Sequence, residues 1–111
     1  MSSIRKLIES LRVRSDVGVI DEKDSWLISI SKGRDFVCVV TVPREVLEWH
    51  ACVKHRREKK EMWSDWMDYS GYDDRAPEKL EADMADDIVA FVDRVSMSEL
   101  RFPLQIYEEK A

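Results

Sequence analysis

The sequence predicts an α+β domain: an antiparallel sheet of about five strands with an N-terminal helix and a longer C-terminal helix packed on it. Three observations carry that expectation. Apolar residues recur at helical spacing near both ends, at Ile4, Leu7, Ile8 and Leu11 and again at Leu80, Met84, Ile88, Phe91 and Val95. Between them, residues 16–43 follow a period of two, punctuated by turn residues. A chain of 111 residues reads as one domain, 1–111, and folding at that size buries roughly two-thirds of the unfolded surface in a single core.

Composition narrows the class. Apolar content is 44%, and three glycines and three prolines are too few for a low-complexity chain. The start Met1-Ser2-Ser3-Ile4-Arg5-Lys6 lacks the apolar core of a signal peptide, and no run approaches the roughly 20 apolar residues of a membrane span, so a cytoplasmic location is expected. Cys38 and Cys52 lie in apolar surroundings without CxxC spacing, which reads as a pair of buried reduced thiols.

The first helix is expected over about 3–13, capped by Ser2 or Ser3, with Arg5, Lys6, Glu9 and Arg12 mainly off the apolar stripe. A short amphipathic membrane anchor is the alternative use of such a stripe. Val17-Gly18-Val19-Ile20, the turn Asp21–Asp24, and Trp26, Ile28 and Ile30 alternating with Leu27, Ser29 and Ser31 begin a meander. Gly33 supplies positive φ for the second turn. The run from Phe36 to Val42 is nearly all apolar and β-branched, the composition of a strand covered on both faces, and Pro43 ends it.

Residues 44–60 admit two structures. Arg44-Glu45-Val46-Leu47-Glu48 after Pro43 can open a helix reaching Lys60. Leu47, Trp49, Ala51 and Val53 instead fit period two, and so does the segment from Met62 to Tyr69. A hairpin of strands 46–55 and 61–69 accounts for both halves, so the hairpin is preferred. In a strand only one of Trp63 and Trp66 can face inward. The second helix begins near Pro77, in whose first turn a missing amide costs nothing. Residues 101–107 read as an edge strand or an extended arm, with Pro103 restricting them to an edge.

Little of this spells out a reaction. His50 and His55, five apart, point to opposite sides of a strand, so no zinc site is expected from them. Asp65, Asp68, Asp73 and Asp74 lack the EF-hand pattern and its closing glutamate. No nucleophile motif or phosphate-cradling glycine loop occurs. An enzyme, a cofactor and a metal are therefore not expected. The basic run Lys54–Lys60 reads as a solvated hairpin tip rather than a nucleic-acid contact.

Charge and aromaticity are the informative features. Net charge is -5, and residues 65–93 hold ten acids against Arg75 and Lys79, leaving the rest of the chain slightly basic. That asymmetry disfavours nucleic acid and anionic membranes and favours a basic partner. Trp63–Asp74 gathers four aromatic rings and four carboxylates in twelve residues, suited to a contact surface.

Leu47-Glu48-Trp49, the string from Trp63 to Tyr72 (W-S-D-W-M-D-Y-S-G-Y) and the acidic helix ending Ile88-Val89-Ala90-Phe91-Val92 resemble a group of small bacterial immunity proteins encoded beside polymorphic toxins, including those of contact-dependent growth inhibition. The resemblance covers about residues 45–95. It implies a non-enzymatic protein that binds the C-terminal toxin domain of its own system, such toxins often being basic nucleases or other enzymes whose cleft is blocked. Combined with the charge, it assigns partner contact to Asp65, Asp68, Tyr69, Tyr72, Asp73, Asp74, Asp83, Asp86 and Asp87. A small regulatory adaptor or subunit of an intracellular enzyme complex could use the same surface.

Overall fold

The computed structural model describes residues 3–69 and 75–97. The expected strand or arm at 101–107 lies outside the described residues, as do Tyr72, Asp73 and Asp74. The elements are α1 (Ser3–Arg12), β1 (Gly18–Asp21), β2 (Ser25–Lys32), β3 (Phe36–Pro43), β4 (Glu48–His55), β5 (Lys60–Asp68) and α2 (Pro77–Met97). Among the described residues five strands form one antiparallel meander in the order β1-β2-β3-β4-β5, the α+β architecture that the alternating pattern predicts. No described helix is long and apolar enough to cross a membrane.

Both helices share one core with one face of the sheet. Ile4, Leu7, Ile8 and Leu11 are all buried there, so the α1 stripe is spent on packing, not on a membrane surface. From α2 come Met84, Ile88, Phe91, Val92 and Val95, and from the sheet Trp26, Ile28, Ile30, Cys38, Val40, Val42, Trp49, Ala51 and Val53. Each fully buried aliphatic chain among them contributes about 1.5–3 kcal/mol relative to exposure. Lys79 and Leu80 both donate to the Ala76 carbonyl, placing Pro77 in the first turn of α2. The far end of α2 is tied down by Arg14, which bonds Asp16 and reaches Asp93 at 2.6 Å, and by Lys32 Nζ donating to the Ser96 carbonyl at 3.0 Å.

The 44–60 segment resolves as the hairpin. Thr41 to Phe36 pair with His50 to His55 without a break, which no helix could satisfy. The tip is Arg56–Lys59, where Lys59 adopts a φ of 53° and its amide donates to the His55 carbonyl at 2.8 Å. Lys59 thus holds a left-handed conformation that glycine adopts more readily. β5 carries one irregularity: Val53 pairs with Trp63 but Lys54 pairs with Glu61, so Met62 is an extra residue opposite the same stretch of β4.

One expectation is corrected. β3 is not covered on both faces by the described elements. Cys38, Val40 and Val42 are buried beneath the helices, whereas Val37, Val39 and Thr41 are only half-buried on the opposite face. There they are shielded by cross-strand neighbours such as Ser29 and Cys52, both in register with Val39.

Candidate functional site

The described part of the acidic and aromatic strip, Trp63 to Asp68, falls on β5, the last of the described strands. Strand alternation therefore divides it between two faces. Trp63, Asp65 and Met67 pair with Val53, Ala51 and Trp49 on the helix side, whereas Ser64, Trp66 and Asp68 pair with Cys52, His50 and Glu48 on the other. Trp63 is half-buried and stacks on Phe91, with ring centroids 6.2 Å apart. Trp66 is 53% exposed and leans on His50, at 5.6 Å and 47°. Asp65 and Asp68 consequently project in opposite directions, so a flat partner cannot meet both in the same way.

Tyr69 follows β5 and has a structural task. Its amide donates to the Leu47 carbonyl at 2.8 Å, its hydroxyl oxygen accepts from Trp49 Nε1 at 3.4 Å, and its O–H donates to Asp87. Burial, reinforced by the bond to Asp87, pushes the phenol up to about 12. The ring that the sequence assigns to partner contact thereby joins the end of β5 to α2. On α2, Asp83, Asp86 and Asp87 lie three and four residues apart and share one face. Asp83 pairs with Arg75, while Asp86 and Asp87 are exposed.

The structure thus places Asp65, Tyr69, Asp83 and Asp87 on the helix side near β5, sets Asp86 on the same side of the molecule but at the groove between α1 and α2 beside Lys6, and separates Asp68 from them. It also presents a surface that sequence reasoning missed. Leu27, Val37, Val39, Cys52 and Trp66 share the sheet face that neither helix covers, a consequence of the meander register rather than of any single segment. The partial signal for it was that period two in β2 and β3 leaves apolar residues at the outward positions too.

The cysteines do not form a nucleophilic site. Cys38 and Cys52 are both free and lie on opposite faces, Cys38 under the helices and Cys52 on the other side. Burial pushes the Cys38 thiol up to about 12 and raises Cys52 as well, despite the opposing influence of Lys54, so both thiols stay protonated and weakly nucleophilic at neutral pH. His50 and His55 do face opposite sides: His55 packs edge-on against Phe36, its partner in register, and His50 turns to the open face. Among the described residues the set able to hold a metal is His50, Cys52 and Glu61. Nδ1 of His50 is buried without a hydrogen-bond partner among the described residues, which costs about 1–3 kcal/mol if left so.

Comparison with known protein families, with curated proteins and with solved structures finds no match for this chain.

Proposed function

We propose that this chain is an immunity-type protein, acting in the cytoplasm, that binds and neutralises the toxin domain of its own system through the acidic outer face of α2 and the adjoining helix-side edge of β5. The observation that carries this reading is the hydrogen bond from Tyr69 to Asp87, which fastens the end of β5 to α2. Asp65, Asp83, Asp86 and Asp87 then sit on two elements held together before any partner arrives. An acidic surface that needs little ordering on binding loses less of its interaction free energy to entropy, and it steers a basic partner by long-range attraction. The resemblance of Trp63–Tyr72 to immunity proteins supports the same reading.

The test is co-expression with the toxin encoded next to this chain, together with binding kinetics at two salt concentrations. Steering should raise association well above the roughly 10⁵–10⁶ M⁻¹s⁻¹ of an unsteered pair. The rate should fall with added salt, because screening at 0.15 M already shortens electrostatic reach to about 8 Å. Asp86→Asn with Asp65→Asn keeps shape and removes charge, and should slow association with little change in dissociation. Asp68→Asn, on the opposite face, should leave both rates almost unaltered. A folded Asp65/Asp86 variant that still protects cells and binds at wild-type rates shows that the acidic face is merely solvated.

A further inference from the structure

Away from that face, the side of the sheet that the described elements leave open brings together three side chains that the sequence keeps apart. His50 and Cys52 are two residues apart on β4 and so share a face. Glu61 would project to the opposite face if β5 alternated without interruption, because it has the same parity as Trp63. The extra residue at Met62 reverses that, placing Glu61 in register with Lys54, on the face of Cys52 and His50. A ring nitrogen of His50, the Cys52 thiol and a Glu61 carboxylate oxygen all lie within 4.8 Å of one another.

The geometry points to a three-donor site for a borderline divalent cation of the zinc type, built from His50, Cys52 and Glu61 on the open face of the sheet. The donor set is chemically suited to it: one imidazole, one thiolate and one carboxylate are the ligand types zinc takes, whereas magnesium and calcium favour oxygen alone. Ligand atoms around a tetrahedral zinc stand about 3.5 Å apart, so the donors close on an ion by side-chain rotation, and Glu61 is exposed and free to rotate. Two of the donors stand on β4, which is paired on both sides by β3 and β5 and so holds them rigidly. Cys52 is only 5% exposed, and the buried Nδ1 of His50 has no hydrogen-bond partner among the described residues, an arrangement that a bound ion would make sense of. Trp66 walls one side of the imidazole. The ammonium of Lys54 neighbours the site but is exposed and can turn to solvent. Three protein ligands leave a fourth position for water or for a donor from another molecule.

Cobalt(II) is the probe, because its thiolate complexes absorb where the free ion does not. Reduced full-length protein without a histidine tag, stripped of metal by chelation, is titrated with Co²⁺ and then with Zn²⁺. One equivalent of Co²⁺ should develop a thiolate-to-cobalt charge-transfer band that Zn²⁺ displaces, and Zn²⁺ should raise Tm. Cys52→Ser should abolish the band. His50→Gln and Glu61→Gln should each weaken binding by on the order of tenfold or more, while Cys38→Ala, on the other face, leaves the band intact. Folded wild-type protein that gives no band even at high Co²⁺ overturns the assignment. So does a band of unchanged strength in both His50→Gln and Glu61→Gln. Should Cys52→Ser fail to fold, Glu61→Gln decides the matter, since its side chain is exposed and its loss leaves the fold alone.

Discussion

Tyr69→Phe isolates the bond that joins the sheet edge to α2. The substitution keeps the ring, and with it the packing against the core, and removes only the hydroxyl. Two effects follow. Trp49 is 4% exposed, so its Nε1–H loses its acceptor in a place water hardly reaches. An unpaired buried donor costs about 1–3 kcal/mol, and the 3.4 Å length of this bond argues for the lower end. The bond to Asp87 is charge-assisted but lies at the surface, and contributes about 0.5–1 kcal/mol after solvent screening. The expected loss is about 1.5–2 kcal/mol, or about 6–8 °C in Tm for a domain of this size. Urea unfolding measures it directly, with an unchanged m-value showing that the native state is otherwise intact. The pH profile supplies a second readout. The folded phenol titrates near 12 against 10.0 when unfolded, so the protonated form is the one the fold favours. Its contribution is complete below pH 10.0 and is lost as pH rises through about 12. Allowing for a partly exposed phenol, the wild type should lose about 1 kcal/mol more than Tyr69→Phe across that window. A variant with the wild-type urea midpoint and the same alkaline profile would mean that Tyr69 does not bridge β5 and α2 in solution.

Two further predictions concern burial. Trp63→Ala should cost about 3 kcal/mol or more because its ring stacks on Phe91 against the core, whereas Trp66→Ala, 53% exposed, should cost under about 1 kcal/mol; chemical denaturation of the two variants checks the order. Cys38→Ala should destabilise by on the order of 1 kcal/mol without loss of any chemical activity, and the native Cys38 thiol should resist alkylation until denaturant is added, as thiol labelling followed by mass spectrometry would show.

Much of the fold is legible in the chain because local periodicity sets it. The 3.6-residue recurrence of Ile4, Leu7, Ile8 and Leu11 and of Leu80, Met84, Ile88, Phe91 and Val95 gives both helices and their buried faces. The alternation of Trp26, Ile28 and Ile30, together with Gly33 at a φ of 67°, gives β2, its inward face and the turn to β3. The concentration of acids in the C-terminal half is likewise a property of composition. For residues 44–60 composition is equivocal, because Lys, Arg, Glu and Leu suit a helix as well as Trp, Val and His suit a strand.

Tertiary structure decided what depends on partners distant in sequence. Pairing with β3 turned residues 48–55 into a strand, since an apolar strand with open hydrogen-bonding groups gains more from its neighbour than from a local helix. Once β5 paired with β4, the register sent Trp63 inward and Trp66 outward and separated Asp65 from Asp68, although all four belong to one string in the sequence. Tyr69 became a tie only because α2 brings Asp87, 18 residues further along the chain, to it. The same holds for His50, Cys52 and Glu61. Period two read along β5 puts Glu61 on the wrong face, and only the one-residue bulge at Met62 carries it across. A bulge is the compromise between two paired strands, and neither strand's own sequence states where it will fall.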